Sequence, residues 1–487
     1  MKAIVISFDR WHAGFLGLYG NPWVDTPALD GFAAESAVFD QHFAENLSPN
    51  VVQHAWWTGR YQCPLDVAQQ QREPTWLQWL GDHGITSCLL HDPAARLPVD
   101  VRQFSTSRAI SLEDVGQLHF EEDAPKFVKA AVQRIQQMGR KPELPELFWI
   151  HAAGLPIDEH SAAYEELYAD DAPQTKVTVD KRADRTDQTE PTDDTTDFDP
   201  DFDDPDDDDL ETDELVSTPK DTDDELIVFP PRFWRRARSS PRELADASLR
   251  GAGWDAPVTI STKTVTPSED RSAPVNWQLR RDLYSGQVTQ WDAWVGKMIE
   301  AALRLAESTP VMIIFTAAAG QHLGEHAESS VTSMLFEETI HVPLIIHVPQ
   351  TDPFVGRRLA LSTAADIPAT ILDWFQVVAP ATVKLDGTSL LPHIRDDQPL
   401  EHEIVFVGSD LNGAARTKDF YFHQDLDQRL DGESIFVKPD DRWDADNMLR
   451  QLPDAAESLK AQWQAFVERI RERARLVESD VTVRDHE

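Results

Sequence analysis

The sequence predicts an α/β fold: a mainly parallel central sheet flanked by helices over residues 1–400, then a small C-terminal α+β subdomain over 401–487. Three observations predict it. Short apolar runs at 4–8, 147–151, 311–316 and 344–348 have the length and continuity of strands buried on both faces. Segments with helical apolar spacing separate them, and strands that alternate with helices give a parallel sheet covered on both sides. After residue 400 the texture changes to short strand-like runs and one closing helix.

The run at 4–8 begins almost at the initiator Met and reads as the first buried strand. Thr26 and Pro27 start a helix, with Thr26 as N-cap and Pro27 at the first helical position; Leu29, Phe32 and Ala33 fall on one face. Residues 124–138 place Phe127, Val128, Ala131, Val132 and Ile135 on a stripe. Residues 287–305 do the same with Val288, Trp291, Val295, Met298, Ile299 and Leu303. Asp366 is read as the cap of a helix carrying Ile371, Leu372 and Phe375. In the C-terminal part, 403–408, 419–423 and 434–438 read as antiparallel strands, and Leu459, Trp463, Phe466, Ile470 and Leu476 as the buried stripe of the closing helix.

An insert interrupts the large domain at 169–226. Its stretch 191–225 holds 18 acidic residues and one Lys, too little apolar surface to offset ordering entropy, so disorder is expected. Asp197, Asp199 and Asp201 faintly suggest a calcium loop, but Phe202 stands where such a loop needs Gly, and a solvated linker is the simpler reading. A basic segment follows, with Arg232, Arg235, Arg236, Arg238 and Arg242, which either holds the insert in cis or forms a surface helix.

Composition narrows the function classes. An apolar fraction of 41%, with 15 Trp and 22 Phe, supports a large core. Against 45 Lys plus Arg stand 85 Asp plus Glu, a formal net charge of −40, which excludes binding of nucleic acid or anionic membrane over the general surface. The two cysteines, Cys63 and Cys88, are expected to be buried free thiols in a reducing compartment. The N-terminal run is too short for a signal peptide, and no stretch has the length of a membrane span. A cytoplasmic protein is expected.

Four anchors carry a family resemblance. The first is the run from Leu16-Gly17-Leu18-Tyr19-Gly20-Asn21-Pro22 through Thr26-Pro27-Ala28-Leu29-Asp30 to Phe39-Asp40. The second is Thr58-Gly59-Arg60-Tyr61. The third is Phe315-Thr316 with Gly320-Gln321-His322-Leu323-Gly324-Glu325-His326, and the fourth is Leu335-Phe336-Glu337-Glu338-Thr339-Ile340-His341-Val342-Pro343. Asp366-Ile367-Pro368-Ala369-Thr370 and Leu385-Asp386-Gly387-Thr388-Ser389 agree. In order and spacing the chain resembles the sulfatase family, within the alkaline phosphatase superfamily, over nearly its whole length apart from the acidic insert.

That resemblance implies a chemistry and shows where this sequence departs from it. Sulfatases hold a sulfate ester with a calcium or similar ion and with Lys, Arg and His side chains. Their nucleophile is a Cys or Ser converted to formylglycine, nine residues before the Thr of the second anchor. Here that position is Pro49, and the Arg that normally follows falls on Gln53. The two strand-end Asp fall on Asp9 and Arg10, and the metal pair of the third anchor on Ala318 and Ala319. The family's Lys-Trp-His falls on Asp92-Pro93-Ala94, a further His near Leu155, and a Lys on Thr332 or Ser333. Asp9 alone remains, as a relic metal ligand. A one-residue slip would make Ser48 the nucleophile, but Asn50-Val51-Val52-Gln53 does not match the pattern needed for formylglycine conversion.

The resemblance and its departures imply a sulfatase-family pseudoenzyme with no catalytic residue and no cofactor. Such a protein acts as a binding or scaffold protein for a protein partner or an anionic ligand. The alternative is a sulfuric or phosphoric ester hydrolase with a rearranged metal site, taking Ca or Zn at Asp9, His12, His54, His151 and His322, side chains that can gather at one sheet edge. The simpler reading of these His is ordinary hydrogen bonding; Glu325, His326, Glu337 and Glu338 are read as structural. Trp56 and Trp57, beside the former nucleophile position, are expected to include at least one buried indole that narrows the old site.

Overall fold

The computed structural model describes residues 1–62, 75–95, 97–98, 100–112, 124–155, 276–326, 335–349, 355–381, 383–400, 402–409, 412–425 and 432–484. The acidic insert, the Arg232–Arg242 segment, Thr332, Ser333 and Cys63 lie outside the described residues.

Strand β1 (Lys2–Arg10) is the centre of the molecule. It pairs in parallel with β5 (Glu146–Ala152) on one side and β6 (Val311–Ala319) on the other. The eight-stranded order is β4-β3-β5-β1-β6-β7-β2-β8, where β2 is Ala37–Phe43, β3 Thr86–His91, β4 Thr106–Ala109, β7 Leu344–His347 and β8 Gly356–Thr363. Only β7 runs against its neighbours, pairing antiparallel with both β6 and β2. The four apolar runs expected from sequence are β1, β5, β6 and β7. Ala3, Ile4, Val5, Leu147, Trp149, Ile313 and Ile314 are fully buried, as strands covered on both faces require.

The covering helices follow the predicted stripes. They are α1 (Pro27–Ala33), α2 (Pro49–Thr58), α3 (Leu77–Asp82), α4 (Lys126–Met138), α5 (Trp277–Ala306), α6 (Glu337–Ile340), α7 (Asp366–Trp374) and α8 (Leu391–Asp396). On α4, Phe127, Val128, Ala131 and Ile135 are buried, whereas Val132 is only half-buried.

Two predicted caps are corrected. The Thr26 hydroxyl does not cap α1: it accepts from the Gly17 N–H (2.9 Å) and donates to Asp30 (3.2 Å). The α1 amides of Ala28 and Leu29 donate instead to the Asp292 carboxylate of α5, at 2.9 and 2.8 Å. Asp366 is the first residue of α7 rather than its cap, and its carboxylate accepts the N–H groups of Thr363 (2.8 Å) and Thr388 (2.7 Å) and pairs with His402 (2.8 Å).

The C-terminal part is a four-stranded antiparallel sheet, β12-β11-β10-β9, with β9 Val405–Gly408, β10 Asn412–Arg416, β11 Phe420–Asp425 and β12 Glu433–Val437. The closing helix α9 (Pro453–Arg484) packs Trp463, Phe466 and Ile470 against it. Strand β10 was not expected.

Candidate functional site

The parallel strands end at one edge, and the first strand sets the register there. Arg10, the last residue of β1, lies opposite Ala319, the last residue of β6; Phe8 lies opposite Ala152 at the end of β5. Asp9 and Arg10 therefore emerge between the third-anchor loop and the loop after β5. Gly154 fits against the Arg10 backbone: its φ is +103° and a Cβ would come within 3.1 Å of the Arg10 nitrogen, so any other residue would push the loop off the strand end.

Helix α2 supplies the third wall. Pro49 occupies its first turn, a position suited to a residue without an N–H, and Ser48 precedes it with no side-chain capping bond. One turn on, the buried Gln53 amide donates to Asp9 Oδ1 and contacts His151 Nε2 at 3.2 Å. His151 Nε2 is 3.0 Å from the same Asp9 oxygen, and its Nδ1 is 2.8 Å from Ser7 Oγ, which also accepts from Trp149 Nε1 at 2.8 Å. One oxygen of the remaining strand-end carboxylate, Oδ1, is thus engaged by both Gln53 and His151.

Arg10 reaches across the edge. Its guanidinium donates to the Leu47 carbonyl (3.2 Å), just before α2, and to the Gly320 carbonyl (3.3 Å), just after Ala318 and Ala319. Both alanines are fully buried in the core. Burial lowers the Arg10 pKa and the neighbouring Asp9 charge opposes that shift. Gly320 itself lies so close to the Glu338 carbonyl that a Cβ has no space.

The other positions implied by the resemblance lie in the following surroundings. Asp92 is buried, its pKa raised by that burial, and its carboxylate accepts the Ala94 N–H at 3.1 Å. Ala94 is exposed, and Leu155 is part of the core. Trp56 and Trp57 are both fully buried, with ring centroids 5.8 and 4.2 Å from Trp149. The expectation of at least one buried indole holds for both.

The five side chains of the alternative metal site do not form one cluster. Asp9 and His151 pair as described. His12 and His322 instead meet through Glu325: His12 Nε2 is 3.4 Å from Glu325 Oε1, and His322 Nδ1 is 3.5 Å from Glu325 Oε2. His54 joins neither group by a hydrogen bond or ion pair among the described residues; burial pushes its pKa down to about 4, so it is neutral.

Sequence reasoning set aside Glu325, His326 and Glu338 as structural, and they complete the second group. Glu338 Oε1 lies 3.3 Å from His322 Nδ1 and 2.8 Å from His326 Nδ1. Burial alone would raise the Glu338 pKa, but the bonds from His322 and His326 outweigh it and hold the carboxyl at about 2. The neighbouring Glu337 is tied to the C-terminal part instead, through Lys438 at 3.2 Å. The signal that was available is the i,i+3 spacing of His322 and Glu325; Glu338 is brought in only by the fold.

Comparison with known proteins agrees with this fold. The chain matches the Sulfatase family over residues 2–377, and it belongs to that family. It is 26% identical over 179 residues to an N-acetylglucosamine-6-O-sulfatase of Bacteroides thetaiotaomicron, covering 32% of this chain and 30% of that one. It is 35% identical over 125 residues to iduronate 2-sulfatase of Homo sapiens, covering 24% of this chain and 21% of that one. The aligned part therefore spans less than a third of the length of either relative. Among solved structures, a protein bound to its substrate D-glucosamine-2-N,6-O-disulfate superimposes with a TM-score of 0.59 at 14% identity, covering 97% of this chain and 98% of that one. A phosphonate monoester hydrolase of Agrobacterium radiobacter does so with 0.56 at 16% identity, covering 96% and 95%. These likenesses show the shared fold.

The cation that sulfatases use does not fit the residues at the β1 edge. Calcium takes about 6–8 oxygen ligands. Here Asp9 is engaged by Gln53 and His151, Ala318 and Ala319 offer no side-chain oxygen, and a guanidinium bridges the two flanking loops.

Proposed function

We propose that this sulfatase-family chain does not hydrolyse sulfate esters and acts as a binding or scaffold protein. The observation that carries the proposal is Arg10, whose guanidinium joins the Leu47 and Gly320 carbonyls. A fixed positive charge there repels a divalent cation and ties the loops that such an ion would otherwise organise. Pro49 adds the second loss, because it has no nucleophilic atom. Electrostatic stabilisation of the developing charge, usually the largest catalytic contribution, then has no source at this edge. The partner in this reading is a protein or an anionic ligand. The net charge of −40 argues against nucleic acid and anionic membrane. Among the described residues no helix is long and apolar enough to cross a membrane. The proposal includes a reducing, cytoplasmic setting, for which the buried free thiol of Cys88 is the supporting observation.

The test is turnover of a small aryl sulfate by the purified chain. No hydrolysis above buffer is expected, and Pro49→Cys fails to rescue it, because groups that act as a unit are not restored singly. Turnover by the unsubstituted chain that disappears on Asp9→Ala overturns the proposal. It would establish the second reading, an ester hydrolase with a rearranged metal site, for which the 3.0 Å pairing of Asp9 with His151 is the supporting observation.

A further inference from the structure

We propose that His322, Glu325 and Glu338 form a zinc-binding site, separate from the Asp9 edge and oriented by His12 and His326. Their ligand atoms lie within 4.8 Å of one another, and among the described residues they are the one group of three or more His, Cys, Asp and Glu side chains so placed.

Tetrahedral zinc binds N and O ligands at about 2.0–2.1 Å, which sets ligand-to-ligand edges of about 3.3 Å. His322 Nδ1 lies 3.3 Å from Glu338 Oε1 and 3.5 Å from Glu325 Oε2, so two edges have that length already. Rotation of one carboxylate sets the third. An imidazole with two carboxylates suits zinc better than calcium or magnesium, which prefer all-oxygen shells.

A second observation points to a ligand. The Glu338 side chain is fully buried; its Oε1 meets His322 and His326, while its second oxygen, Oε2, has no hydrogen-bond partner among the described residues. A buried carboxylate oxygen left unpaired is costly unless a cation or donor meets it. His322 and Glu325 are 19% and 18% exposed at their side chains, so an ion can enter from solvent and a water can complete the shell.

The surrounding contacts fix roles. His12 Nδ1 accepts the Gly14 N–H at 2.9 Å, so the neutral ring carries its proton on Nε2, which faces Glu325 Oε1. His12 is therefore a positioning residue that orients Glu325 and is not a ligand. His326 stacks on Phe336 at 3.6 Å and presents Nδ1 to Glu338 Oε1 in the same way. Donors behind metal-binding carboxylates tune affinity by about 10–100-fold.

The site stands independently of whether the chain hydrolyses esters. The experiment is titration of the chelator-stripped full chain with zinc chloride alone, in competition with a chromogenic chelator. One equivalent is expected. His322→Gln and Glu338→Gln each weaken binding at least about tenfold, and His12→Gln weakens it about tenfold without changing stoichiometry. Asp9→Ala leaves it unchanged. Absence of a tight equivalent, or an equivalent lost on Asp9→Ala and kept in His322→Gln, overturns the proposal. If Glu338→Gln fails to fold, the variant of the partly exposed His322 decides.

Discussion

Arg10, the last residue of the central strand, donates to the Leu47 carbonyl at 3.2 Å, across the groove from its second acceptor on Gly320. One side chain thus joins the loop before α2 to the loop after β6. Replacing it by Ala leaves two carbonyl oxygens without their donor. A buried acceptor stripped of its partner costs about 1–3 kcal/mol, so Arg10→Ala is expected to destabilise by about that amount. Arg10→Lys recovers less than half, because an ammonium cannot span both carbonyls as a planar fork does. Urea unfolding midpoints measure both; an unchanged midpoint in Arg10→Ala would mean the bridge carries no load.

Asp292 supports α1 from the middle of α5. Its two oxygens accept the N–H groups of Ala28 and Leu29, orphan donors at a helix start. Asp292→Ala is expected to cost about 1–2 kcal/mol, as loss of an N-terminal cap does, and Asp292→Asn less. Hydrogen exchange locates the effect: protection should fall at Ala28 and Leu29 before it falls in β1.

Trp57 tests how the α2 wall is packed. The indole is fully buried, 4.2 Å from Trp149 and 5.2 Å, edge-on, from Phe104. Trp57→Ala is expected to lose about 3–5 kcal/mol, since the transferred area and the cavity both count. Trp57→Phe keeps part of the contact and is expected to cost less than half as much. Equal melting temperatures for the two variants would contradict this packing.

The sequence was most legible where the signal is local. Continuous apolar runs marked β1, β5, β6 and β7 correctly, but such a run has no direction in it, so the reversal of β7 was invisible. Strand β10 was missed because Asn412, Gly413, Ala414 and Ala415 have little strand propensity. The fold buries them: the Trp463 ring lies against Gly413, where a Cβ would not fit, Ala414 packs with Phe43 and Tyr421, and Ala415 with Phe422 and Ile435. The caps were misread for the same reason. Thr26 looks like a cap by position, whereas the true acceptor, Asp292, is 263 residues from Leu29 in the chain. At the candidate site, Asp9, Arg10 and Gln53 were identified from anchor spacing, and the fold gave each a partner. Glu338 was not recognised beside His322, because the two are brought together only when the start of α6 folds against the end of β6.

Glu45 gives a pH dependence that can be worked out from its surroundings. It is fully buried; its Oε1 accepts the Ala365 N–H (3.0 Å) and the Thr363 hydroxyl (3.1 Å), while Oε2 has no partner among the described residues. Burial raises its pKa from 4.5 to about 8, with Asp386 and Asp366 adding to the rise and the two hydrogen bonds opposing it. The folded chain therefore holds a proton on Glu45 that the unfolded chain releases above about 4.5. The stability tied to this proton is fully present below that value and is lost as pH rises to about 8, by up to about 1.4 kcal/mol per pH unit. Glu45→Gln cannot ionise and keeps the hydrogen-bonding shape. Its stability relative to the unsubstituted chain is expected to improve steadily between about pH 5 and about pH 8, read from urea midpoints at both ends. A stability difference that stays constant over this range would mean that Glu45 is already ionised in the fold.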